Sequence, residues 1–92
     1  MDDALIKWHL SAVRMLVLDI IARQPGVALE AIVAEWIAQQ PAMSPRHRAA
    51  MPRMTGEILW RLENLGWVEK RHGLFRLTDL GARARTVAHL DR

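Results

Sequence analysis

Ninety-two residues, about half of them apolar and a quarter charged, make one domain whose core needs nearly every large apolar side chain. Zero cysteines exclude a disulfide framework and a thiolate zinc site, and fit a reducing cytosol. The net charge of +3 is uneven. Residues 1–45 carry three Lys/Arg against five Asp/Glu, a net of −2, and residues 46–92 carry ten against five, a net of +5. A localised positive field suits a polyanion partner, and a solubilising surface is the plainer alternative.

The longest apolar run, Met15 to Ile21, is interrupted by Asp19 and is too short to span a bilayer. The chain opens with Asp2-Asp3 rather than the basic start of a signal peptide, so the expectation is a cytoplasmic protein with no membrane partner.

Residues 4–23 read as one long helix. Ile6, Leu10, Val13, Leu16, Val17, Ile20 and Ile21 recur on one side at 3.6-residue spacing, and Leu5, Trp8, Ala12 and Met15 form a second apolar group. Lys7, Ser11 and Arg14 make a polar stripe between them. Two apolar faces need two surfaces to pack on. A homodimer through Leu5, Trp8, Ala12 and Met15, with Val87 and Ala88 of the last helix, would supply the second. The alternative is that the last helix of the same chain covers it. Gln24-Pro25-Gly26 ends the helix.

Val27-Ala28-Leu29 is β-prone and suits an extra strand beside a later hairpin. Leu29, Ile32, Val33, Trp36 and Ile37 then predict a helix over 29–39, with Glu30 at its dipole-favoured end and no Ser/Thr/Asp cap before it. Gln40 to Pro52 reads as a connector holding Pro41, Pro45 and Pro52. Ser44-Pro45 signals a helical turn or two over 45–50, and Pro52 biases Met51 out of the α region.

A helix over 52–65 follows, with Ile58, Leu59, Leu62 and Leu65 toward the core and Arg53, Gly56, Glu57, Trp60, Arg61 and Asn64 on the opposite face. Gly66 caps it. Residues 67–77 read as a hairpin, Trp67 to Lys70 and Leu74 to Leu77 around an Arg71-His72-Gly73 turn. Thr78 is placed to cap a helix over 79–90, whose stripe is Leu80, Ala84, Val87 and Ala88. The expected fold is mainly α with a small β-hairpin.

The phrases Leu62-Glu63-Asn64-Leu65-Gly66 and Leu77-Thr78-Asp79-Leu80-Gly81 carry a resemblance. Leu-Glu-x-x-Gly and Leu-Thr-x-x-Gly in that spacing resemble the winged helix-turn-helix domains of bacterial regulators of the PadR and MarR types. The resemblance is motif-specific over 58–81 and covers residues 10–85 in element order. It implies a recognition helix at 52–65 and a wing at 67–77. The long connector, Glu57 and the large Trp60 depart from the pattern.

Double-stranded DNA as a partner needs cations for phosphates and side chains that read base edges. Arg53, Arg61 and Asn64 on the outer face are candidates for the groove, with Trp60 beside them and Thr55 near a phosphate at the start of the helix. Lys70, Arg71, His72 and Arg76 would serve the wing, and Arg46 and Arg48 the connector. Plainer readings stand beside these. Arg61 can pair with Glu57, Arg76 can pair with Glu69 across the hairpin, and Trp60 can fold back into the core. Trp36 is assigned to the core and Trp67 to the base of the hairpin.

His9, His47, His72 and His89 are scattered and form no metal motif, and no catalytic constellation appears, so neither cofactor nor enzyme activity is expected. The expected function is a homodimeric DNA-binding regulator of transcription. The alternative is a winged-helix adaptor or small inhibitor, of a phage-derived kind, that binds a protein through Trp60 and Glu57.

Overall fold

Ser11 divides the expected 4–23 helix in two. In the computed structural model, which describes residues 1–24 and 26–90, α1 is Asp3–His9 and α2 is Ala12–Arg23. The Asp2 carboxylate accepts from the Leu5 amide at 2.9 Å and starts α1. Leu10 is extended, and the Ser11 hydroxyl accepts from the Arg14 amide at 3.1 Å to start α2. The Arg14 guanidinium returns to the His9 carbonyl and caps the broken end. A serine that offers the backbone its own acceptor competes with helix continuation. The break splits the first apolar group: Ile6 is fully buried, and Val13 is 42 % exposed. The part of the expected helix stop that falls on Pro25 lies outside the described residues.

Val27–Ala28 forms β1 and Leu29–Gln39 forms α3, which starts from Ala28 without a side-chain cap. The next helix, α4, runs Pro45–Asn64. This corrects the expected start at 52 and the expected exclusion of Met51 from the helix. The connector shrinks to a few residues around the buried Met43. The Ser44 hydroxyl accepts from the His47 amide at 3.1 Å, and Pro45 occupies the first turn, where its missing N–H costs nothing. Pro52 lies inside the helix and leaves the Arg48 carbonyl without its helical donor. Both residues lie on the exposed side of the helix, where the lost bond costs least. Met51, Thr55, Leu59 and Leu62 bury one stripe across the proline and hold the helix on α3 and the sheet.

Gly66, at φ 77°, ends α4 in a Schellman arrangement. The Trp67 amide donates to the Leu62 carbonyl and the Gly66 amide to the Glu63 carbonyl, both at 3.0 Å. Strands β2 (Val68–Arg71) and β3 (Leu74–Leu77) join through His72 and Gly73, both at positive φ, the geometry of a two-residue hairpin turn. The antiparallel sheet has the order β1-β3-β2, with Val27 opposite Phe75 and Glu69 opposite Arg76. The charged β2 is an edge strand, and its Glu-Lys-Arg run guards it against pairing with another chain.

The last helix, α5 (Asp79–Leu90), starts at a knot of backbone contacts. The Thr78 hydroxyl accepts from the Gly81 amide at 3.0 Å and itself donates to the Gly66 carbonyl. The Thr78 amide donates to the Trp67 carbonyl at 3.1 Å. Gly81 packs directly on that carbonyl: a Cβ there would lie 1.8 Å from the Trp67 oxygen. The Leu-Thr-x-x-Gly phrase thus acts as a clamp that locks α5 to the strand entering the hairpin.

Helix α5 covers α1 and α2. Ala84, Val87 and Ala88 are buried there, which corrects the assignment of Val87 and Ala88 to a dimer face. Arg83 pairs with Asp3 at 2.7 Å, and Arg85 pairs with Asp19 at 2.7 Å, with the His89 ring 3.1 Å from the same carboxylate. Burial pushes the Asp19 carboxyl up, but hydrogen bonds and charge from Arg85 and His89 outweigh it and hold the carboxyl below its ordinary range. A depressed folded-state pKa means that stability is present above the unfolded pKa of about 4 and is lost as pH falls through the folded value. Urea unfolding across an acid pH series therefore shows a declining limb below about pH 4. Asp19→Asn is less stable than the parent at neutral pH and shows a shallower limb. An equal acid limb in both proteins would refute the assignment.

No helix among the described residues is long and apolar enough to cross a membrane.

Candidate nucleic-acid interface

At 100° per residue, the buried stripe of α4 leaves Arg46, Arg53, Glu57, Trp60, Arg61 and Asn64 on the opposite side, and all six are exposed. Gly56 sits at the edge of this stripe. From Arg46 to Arg61 the row runs roughly 22 Å along the helix. Only because the helix continues through Pro52 does Arg46 share a face with Arg61. Trp60 is 63 % exposed, so the reading that folds it into the core is overturned. Trp36 and Trp67 are the buried pair.

The arginines divide by what holds them. Arg14 donates to the His9 carbonyl and Arg48 to the Pro41 carbonyl at 3.3 Å. Arg23, Arg71, Arg76, Arg83 and Arg85 each lie within 4.0 Å of a carboxylate oxygen. Among the described residues, Arg46, Arg53 and Arg61 are the arginines whose guanidinium groups make no such contact, and all three lie on the outer stripe of α4. The alternative Arg61–Glu57 pair does not form. Arg76, in contrast, donates to Glu69 at 2.6 Å as its facing register dictates.

The hairpin stands beside the Trp60 edge of this stripe. Trp60 walls two depressions. One is lined by Arg53, Gly56, Glu57 and Arg61. The other runs toward the hairpin past Leu59, Glu63, Lys70 and Phe75, with Leu29 and Glu30 of α3 at its far side. The Lys70 ammonium sits 5.5 Å from the Phe75 ring centre, which holds the cation at the rim of this groove. Arg71 and His72 are exposed at the tip.

The structure thus brings together Arg46, Arg53, Trp60, Arg61, Asn64 and Lys70, with Arg71 and His72 beyond them. It removes three expected residues. Thr55 is fully buried in the middle of α4 and cannot meet a phosphate; its hydroxyl has no hydrogen-bond partner among the described residues. Arg76 faces a groove between α2, β3 and α5, away from α4. Arg48 lies off the outer stripe of α4 and is tied to Pro41. Asn64 is exposed, but its amide donates to the Trp60 carbonyl at 2.7 Å. The contributions of Glu30 and Glu63 to the groove rim are missing from the sequence reading, because no local signal reports which helix lies beside a hairpin.

Of the expected dimer residues, Leu5 and Trp8 are 50 % and 83 % exposed and Ala12 is exposed, while Met15 is partly covered. Among the described residues no group of three or more histidine or acidic side chains is placed to hold a metal ion.

Compared with known proteins, the chain matches no family model, no curated protein and no solved structure.

Proposed function

We propose that the chain binds double-stranded DNA as a winged helix and regulates transcription, with the outer face of α4 in the major groove and the β2–β3 hairpin as a wing along the flanking backbone. One observation carries this reading. The described arginines whose guanidinium groups make no hydrogen bond or ion pair, Arg46, Arg53 and Arg61, lie in one row on one exposed helix face, beside a hairpin tip bearing Lys70, Arg71 and His72. Guanidinium groups not already paired to a carboxylate are available to phosphates, and neutralising those phosphates releases their counterions. A row roughly 22 Å long also fits within one turn of a duplex.

A second copy of the chain covers Leu5 and Trp8 in this reading. Leu5 and Trp8 are 50 % and 83 % exposed on α1, and a contiguous apolar surface of that kind is what a two-fold interface buries.

Titration of duplex DNA across salt concentrations tests the function. Five phosphate contacts, from Arg46, Arg53, Arg61, Lys70 and Arg71, give a slope of log affinity against log salt of about −4.5. Absence of binding at low salt, or a slope near zero, would sink the reading. The adaptor alternative rests on a different observation: Trp60 is flanked by Glu57 and Glu63, with Glu30 across the groove. It predicts a single stoichiometric protein partner and no duplex binding.

A further inference from the structure

Gly56 has no structural reason to be glycine. Its backbone is helical, so no positive φ requires it, and a Cβ placed there would meet nothing within 4 Å. Gly81 and Gly66 each have one such reason, the first pressed on a carbonyl and the second at φ 77°. Glycine in a helix interior lowers helix stability relative to alanine, and here no contact within the chain offsets that loss. The gap borders both depressions that flank Trp60, with Glu57 next to it and Arg53 and Arg61 at either end of the first.

We propose that Gly56 is a specificity element of the DNA-binding face, a gap that lets the edge of a base pair approach the α4 backbone so that Glu57 reads it. This rests on the DNA reading above. A carboxylate in a row of cations weakens phosphate binding, so its presence at the centre of the face calls for a donor. In the major groove that donor is the N4 amino group of cytosine. The Trp60 ring closes one side of the gap and excludes water from the contact, while Arg53 and Arg61 hold the phosphates on either side. A methyl group at position 56 would stand between the helix and the base edge and push Glu57 out of reach.

Selection of bound sequences from a random duplex library, followed by titration of the selected site, tests this with the parent protein, Gly56→Ala and Glu57→Gln. Gly56→Ala raises the melting midpoint by a few degrees, which shows that it folds, and loses at least about tenfold on the selected site. Glu57→Gln moves the preference at one position from cytosine toward adenine. Equal affinity of the parent and Gly56→Ala for the selected site would overturn the proposal and leave the DNA reading intact. Failure of the parent to bind any duplex would overturn both.

Discussion

Gly81→Ala is expected to abolish most of the stability of this protein. The added Cβ would stand 1.8 Å from the Trp67 oxygen and 2.8 Å from its carbonyl carbon. Both are backbone atoms, so no rotamer change relieves the clash. Either the first turn of α5 lifts away or the strand entering the hairpin shifts. Lifting α5 breaks the bond from the Thr78 amide to the Trp67 carbonyl and the Thr78 cap on the Gly81 amide, and uncovers Trp67, Ala84 and Val87. Overpacking of flexible side chains costs about 1–3 kcal/mol, and a rigid backbone contact belongs above that range, at about 4 kcal/mol or more. For a domain of this size that is most of the total stability and lowers the melting midpoint by roughly 15 °C or more. Chemical and thermal denaturation of Gly81→Ala beside Gly56→Ala make the comparison sharp. The same methyl group is added to a helix in both, with opposite signs expected. A Gly81→Ala protein within about 1 kcal/mol of the parent would show that α5 does not seat as described.

The second large effect is on binding. Arg53→Ala/Arg61→Ala is expected to weaken duplex affinity by about a hundredfold at low salt, since each lost phosphate contact forgoes the release of about 0.9 counterion. It should also flatten the salt slope by about 2. The fold should not respond, because both side chains are exposed and neither takes part in an ion pair or side-chain hydrogen bond among the described residues. Arg83→Ala serves as the control. It removes the same charge from the ion pair with Asp3 and lies off the α4 face, so it should leave the salt slope unchanged. A loss in log affinity from Arg83→Ala half that of the double variant, which removes two charges to its one, would mean that only net charge matters, and the localised face would be wrong.

Much of the candidate site is legible in the chain because the helix period alone sorts Arg53, Trp60 and Arg61 from Leu59 and Leu62. The assignment fails where a residue's fate depends on a neighbour distant in sequence. Thr55 looks like a polar helix-start residue because Pro52 looks like a helix start. Once α4 begins at Pro45, Thr55 falls on the buried stripe with Met51 and Leu59. Arg76 and Arg53 are indistinguishable as letters, yet the sheet register places one against Glu69 and leaves the other without a carboxylate.

By itself the sequence determined those features whose physics is local: the caps at Ser44 and Thr78, the Gly66 stop, the 29–39 helix, the presence of the hairpin and the positive half of the chain, whereas the strand pairing of Arg71 with Leu74 shortened the expected Arg71-His72-Gly73 turn to two residues. Tertiary structure decided the contests between local signals of similar strength. Ser11 breaks a helix that its periodicity would continue: its hydroxyl caps α2, Arg14 caps the end of α1, and each piece packs its own buried residues. Pro52 fails to break a helix that its chemistry would end, because buried packing on both sides outweighs one lost hydrogen bond. That Arg46 faces outward in one row with Arg53 and Arg61 follows from the second outcome, since a local preference is worth about 1 kcal/mol and a buried side chain about 1.5–3.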